Sequence, residues 1–162
     1  MYSKEASILK TAILNEQEGY EFYRLAAEKA LDPEVRDVFN FLAEEEEKHA
    51  GWLTSAYKDV VENKIPSVEA ESLKDVHSPG IFSLEKLKNA GSMVTTALHV
   101  GVMMEKASID YYRAAAGKTE IEALKKLFLS LVDWEIIHLD ELERAYDFAK
   151  EEWWASQGFS PA

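Results

Sequence analysis

The chain has 162 residues, 47% of them hydrophobic, which suits one domain with its own core and is too many for a disordered chain. Acidic side chains outnumber basic ones 30 to 18, and the net charge of −12 opposes binding to nucleic acid or to an anionic membrane. Cysteine is absent, which excludes disulfides, thiol catalysis and any thiolate-held iron.

Proline and glycine are scarce, at 4 and 7 residues, so long helices are favoured over turn-rich sheets. The first stripe of apolar positions at helical spacing is Leu9, Ala12/Ile13, Glu16, Gly19/Tyr20, Tyr23, Ala26/Ala27 and Ala30. It predicts a helix over about 4–30. In "LDPE", Asp32 can cap the next helix, with Pro33 at its first position. A second stripe, from Val35 through Val38/Phe39, Leu42, Glu45/Glu46, His49, Trp52/Leu53 and Ala56 to Val60, predicts a helix over about 33–62. Residues 63–89 contain Pro66 and Pro79 and have weak periodicity, so they read as a long crossover with room for one short helix. The third helix, about 90–117, carries Val94, Leu98, Gly101/Val102, Glu105, Ser108/Ile109, Tyr112 and Ala115/Ala116 on one face. The fourth, about 120–155, carries Leu124, Leu127/Phe128, Leu131, Trp134/Glu135, His138, Leu142, Ala145 and Phe148/Ala149. The N-terminal "MYSKEASILK" lacks the pattern of a signal peptide, and no apolar run is long enough to cross a bilayer. A cytoplasmic protein of one domain, 1–162, with no membrane or nucleic-acid partner is therefore expected.

The two halves repeat. "EQEGYEFYRLAA" (16–27) aligns with "EKASIDYYRAAA" (105–116), and "FLAEEEEKHAGWL" (41–53) with "SLVDWEIIHLDEL" (130–142). Glu16 and Glu105, Tyr23 and Tyr112, Glu46 and Glu135, and His49 and His138 are all 89 residues apart. One offset across two helices and their loop implies two related hairpins. Joined by a long crossover, they give an all-α, ferritin-like four-helix bundle.

Each apolar stripe carries one central glutamate: Glu16, Glu46, Glu105 and Glu135. His49 and His138 follow two of them by three residues, the spacing that puts both side chains on one helical face. Four buried carboxylates are prohibitive without compensation. Two divalent cations would supply four positive charges, and each imidazole would add a nitrogen donor. A single Glu-x-x-His is weak evidence, because most helical glutamates face water. The pair, each preceded by a helix with an inward glutamate, matches the donor set of di-iron bundles.

In "EEEEKHA" (44–50) the inward residue is therefore Glu46, while Glu44 and Glu47 face solvent. Glu45 lies at the stripe's edge and corresponds to Trp134, which argues against it as a ligand; Glu18 and Glu21 correspond to Ala107 and Asp110. Tyr23 and Tyr112 lie two turns beyond Glu16 and Glu105, where a hydroxyl could bond a metal-held carboxylate or be satisfied elsewhere in the core. Gly19 and Ser108 are matching small positions that leave room for an oxidant or for close helix approach. His77 and His99 fall outside the repeat and are not ligand candidates. Met103, Met104, Trp153 and Trp154 read as core or interface packing.

At these motifs the chain resembles the rubrerythrin-like branch of the ferritin-like superfamily, in its stand-alone form without a rubredoxin domain, over about residues 5–150. "NEQEGYEFYRLAA", "VFNFLAEEEEKHAGWL", "MEKASIDYYRAAA", "DWEIIHLDEL" and the connecting "HSPGIF" carry the resemblance. It implies two iron ions, with manganese or zinc as alternatives. Glu16 and Glu105 would be terminal ligands, Glu46 and Glu135 bridges, and His49 and His138 would complete one metal each. It also implies reduction of hydrogen peroxide or oxygen with an external electron donor, in a homodimer. Where rubrerythrins have an extra glutamate one turn before the third-helix ligand, this chain has Val102, which puts peroxidase activity in doubt. Competing expectations are iron oxidation for storage or detoxification, a dimanganese catalase-type reaction, and a helical interaction module with a silent site.

Overall fold

A computed structural model describes residues 3–67 and 91–158. Four helices account for nearly all of them: α1 (Ser3–Lys29), α2 (Pro33–Val61), α3 (Gly91–Lys118) and α4 (Glu122–Ser156). The boundaries fall within two residues of those expected from the stripes. The α2 start is fixed as its sequence suggests. Asp32 is extended, its carboxylate accepts from the backbone N–H of Glu34 and Val35, and Pro33 opens the helix. At the start of α4 the Thr119 hydroxyl accepts the Ile121 N–H instead, and the helix begins at Glu122.

α1 packs along α2, and α3 along α4, as two antiparallel hairpins. The core lies in two apolar compartments. One gathers Tyr23 and Ala27 of α1, Phe39 and Leu42 of α2, Leu98 and Val102 of α3, and Leu142 and Ala145 of α4. The other gathers Leu9 and Ala12, Leu53 and Val60, Ile109 and Tyr112, and Leu124 and Phe128 from the same helices in the same order. The first compartment therefore holds the end of α1, the starts of α2 and α3, and the end of α4. α2 finishes at the opposite end of the bundle from where α3 begins. That is the helix arrangement of a ferritin-like bundle. The short helix expected within 63–89 and His77 lie outside the described residues, apart from the irregular stretch through Ser67. No described helix is long and apolar enough to cross a membrane.

Of the residues expected in core or interface packing, Met103, Trp153 and Trp154 lie outside the core: Met103 is well exposed, and the two indoles pack edge-to-face on one another at the surface. One expectation about packing changes. Glu45, expected at a stripe's edge, is buried, as are Glu5 and Glu141. Lys48 reaches back to Glu45 at 2.5 Å and Arg144 reaches back to Glu141, each from the next turn. These exposed cations give a buried carboxylate a partner of opposite charge.

Candidate metal centre

Between the two compartments lies a polar layer. α1 contributes Glu16, α2 Glu46 and His49, α3 Glu105, and α4 Glu135 and His138; all six are at most 4% exposed. The 3.6-residue repeat explains the placement, since each donor continues an apolar stripe inward. Glu44 and Glu47 face solvent. His99 is exposed and stacks on Tyr146, with ring centroids 4.8 Å apart, away from this layer.

The six side chains form two overlapping sets. Glu16, Glu46, His49 and Glu135 offer donor atoms within 4.8 Å of one another, and so do Glu46, Glu105, Glu135 and His138. Glu46 and Glu135 belong to both. His49 Nδ1 lies 3.3 Å from Glu16 Oε2 and 3.3 Å from Glu135 Oε1. His138 Nδ1 lies 3.2 Å from Glu135 Oε2, 3.6 Å from Glu46 Oε1 and 3.9 Å from Glu105 Oε1. The imidazoles are stacked, with centroids 5.8 Å apart. Glu45 is in neither set.

The tyrosines bond crosswise. The Tyr23 hydroxyl on α1 donates to Glu105 on α3, and the Tyr112 hydroxyl on α3 donates to Glu16 on α1. Glu16 and Glu105 are therefore each held by the other hairpin. The sequence put the hydroxyls near the carboxylates but did not give this crossing. It also missed two aromatic neighbours: Trp52 and Trp134 flank His49 with ring centroids 5.4 and 6.1 Å away. The repeat carries the signal for this asymmetry, because Trp52 aligns with Glu141 and Trp134 with Glu45.

Crowding in this buried layer perturbs Glu46, Glu105 and Glu135. Burial, then Glu135, Glu16 and Glu105, pushes the Glu46 carboxyl well above the usual range. Burial and Glu135 raise Glu105 likewise, against the lowering effect of the Tyr23 hydroxyl. Burial would also raise Glu135, but His49 and His138 hold it well below the usual range. Burial would lower His49, yet Glu135 and Glu16 hold it up at about 10. Burial, reinforced by the carboxylates each faces, raises both tyrosine hydroxyls.

Even so, the layer does not satisfy itself. Glu16 Oε2, Glu46 Oε1, Glu135 Oε1, both nitrogens of His49 and Nε2 of His138 are buried without a hydrogen bond of ordinary geometry. Orphaned donor and acceptor atoms are rare in a core. Here they converge, and mixed carboxylate and imidazole donors suit iron, manganese or zinc. The residues fit a metal site.

The family model for rubrerythrin matches residues 7–146. Among solved structures, a hypothetical protein from Pyrococcus furiosus is similar, with a TM-score of 0.68, 25% sequence identity and 90% of each chain covered. Comparison with curated proteins gives no match.

Proposed function

The chain belongs to the rubrerythrin family, and on that premise we propose that it is a dinuclear non-haem iron oxidoreductase that reduces hydrogen peroxide or oxygen. The observation that carries the reading is the pair of overlapping donor sets sharing Glu46 and Glu135. In this reading Glu16 and His49 would help hold one metal and Glu105 and His138 the other, with Glu46 and Glu135 available to both. When bound, two ferrous ions supply two electrons, which with two protons reduce one hydrogen peroxide to two waters.

The chain's own residues do the rest. Four carboxylates balance the charge of two divalent cations, and the two imidazoles complete the set as neutral donors. Tyr23 and Tyr112 orient Glu105 and Glu16 through their hydroxyls, fixing which carboxylate oxygen is left to face a metal. Apolar compartments on both sides keep bulk water from the layer. The chain has no cysteine for a second iron centre, so the electrons come from an external donor. Exposed Leu25, Met93 and Val100 line one apolar groove that a second copy would cover, in keeping with a homodimer.

Val102 bears on the choice of oxidant. It is buried in the compartment that also holds Tyr23, Leu98 and Leu142, and it offers no donor atom. His138 therefore has no nearby third-helix carboxylate to exchange with beyond Glu105, and peroxide reduction is slower than in relatives with the extra glutamate.

Metal analysis of anaerobically purified protein, followed by stopped-flow addition of peroxide and of oxygen, tests the reading. Two irons per chain and rapid oxidation by either agent are expected. A purified chain that neither retains nor rebinds a transition metal would overturn it. Large multi-subunit particles filled with iron would favour storage instead.

A further inference from the structure

Glu46 and Glu135 occupy equivalent places in the repeat, yet they are held differently. Glu135 spans both histidines, with Oε1 3.3 Å from His49 and Oε2 3.2 Å from His138. Glu46 comes within 4 Å of His138 alone, at 3.6 Å through Oε1. Its other oxygen turns to α1. A Cβ built on Gly19 would lie 3.0 Å from Glu46 Oε2 and 3.3 Å from both Cγ and Cδ. Real Cβ atoms rarely come that close to a neighbour, so any larger residue at 19 requires Glu46 to move.

Nothing in the backbone calls for a glycine there. Gly19 lies in the middle of α1, has no positive φ, and is less favourable than alanine in a helix interior. Gly51 and Gly117, by contrast, have nothing within 4 Å of a built Cβ. The counterpart of Gly19 in the second hairpin is Ser108, which has a Cβ. At this place, as at Trp52/Glu141 and Glu45/Trp134, the two halves of the layer therefore differ.

We infer that Gly19 is a positioning residue for Glu46: the space left by its absent side chain receives Oε2 of that carboxylate and so sets where Glu46 stands in the two donor sets it shares. This rests on the dinuclear reading above. Glu135 takes its place from the two histidines instead.

The test is a double-mutant cycle on the metal-free full chain, with Gly19→Ala, Glu46→Ala and the double variant followed by thermal unfolding. Gly19→Ala should lower Tm while Glu46 is present. In the Glu46→Ala background it should raise Tm, because only the gain in helix propensity remains. A change of the same sign in both backgrounds overturns the inference. If Gly19→Ala alone does not fold, folding of the double variant supports the inference and its failure overturns it. A second readout is titration of the wild type and Gly19→Ala with Co(II), followed by visible absorption. The variant should bind at least one of the two equivalents roughly tenfold more weakly, the scale seen when a group supporting a ligand is lost. Two equivalents bound as in the wild type with the same spectrum overturn it. A wild type that takes up no Co(II) sinks the dinuclear reading, while the thermal cycle still decides the role of Gly19.

Discussion

Raising the pH of the metal-free protein should weaken its fold, and His49 sets most of the effect. Burial alone would lower this imidazole, but Glu135 and Glu16 hold it at about 10, against 6.5 in an unfolded chain. The folded state keeps a proton that the unfolded chain gives up. The stabilisation is therefore complete below 6.5 and is lost as the pH climbs through about 10. At about 1.36 kcal/mol per pH unit, that span is worth about 5 kcal/mol, comparable with the whole stability of a small domain. Glu46 and Glu105 act in the same direction. Both are raised, chiefly by burial, and both hold protons that unfolded carboxylates have lost. Glu135 is the opposite case: burial is overcome by the two histidines, and its contribution is lost only as the pH falls below the usual carboxylate range, outside this window. The assay is urea unfolding of the metal-free protein between about pH 6 and about pH 9, where the midpoint should fall steadily. His49→Gln should flatten the slope. A midpoint that is constant or rises with pH in the wild type would refute the reasoning.

Glu46→Ala and Glu135→Ala should each abolish binding of at least one metal, whereas the exposed Glu44→Ala and Glu47→Ala should leave binding intact; metal analysis separates the four. Tyr23→Phe removes the donor to Glu105, and Tyr112→Phe removes the donor to Glu16, so each should cost about 1–3 kcal/mol in urea unfolding; unchanged midpoints would show that the carboxylates do not need them. Val102→Glu should speed peroxide turnover relative to oxygen in single-turnover oxidation of the iron-loaded protein. A wild type that already strongly prefers peroxide would show that Val102 imposes no limit. Saturating metal should raise Tm, by an amount equivalent to about 2.7 kcal/mol at a hundredfold excess over Kd; equal melting curves would count against a core site.

Much of this was legible in the sequence because the site is built by periodicity. Glu16, Glu46, Glu105 and Glu135 interrupt apolar stripes at one constant offset, so the helices that make the core also aim the donors inward. Asp32 and Pro33 likewise announce the start of α2 through local chemistry alone. What periodicity cannot supply is the neighbour across the bundle. It set Tyr23 and Tyr112 on the right face but left open that each bonds the opposite hairpin's carboxylate. It left Glu45 at an edge, since a stripe of apolar positions takes no account of a lysine one turn on that can reach back to a buried carboxylate. Trp52 and Trp134 come from different hairpins, and only the docked bundle brings both to His49.

The division of the core into two compartments has a mechanical consequence. All four helices run unbroken through the donor layer, so the backbone is continuous where the greasy packing is not. Stripped of cations, the protein resembles two short oil drops threaded on common rods, with a plane of poorly satisfied polar atoms between them. Each drop is smaller than the core of an ordinary domain and gains little from its neighbour's packing. Loosening at the Phe39 end should then leave the Phe128 end tight, and amide exchange should show the bundle parting into two sets of protons. Cations in the plane would rivet the drops together, and the same amides should then exchange as one body.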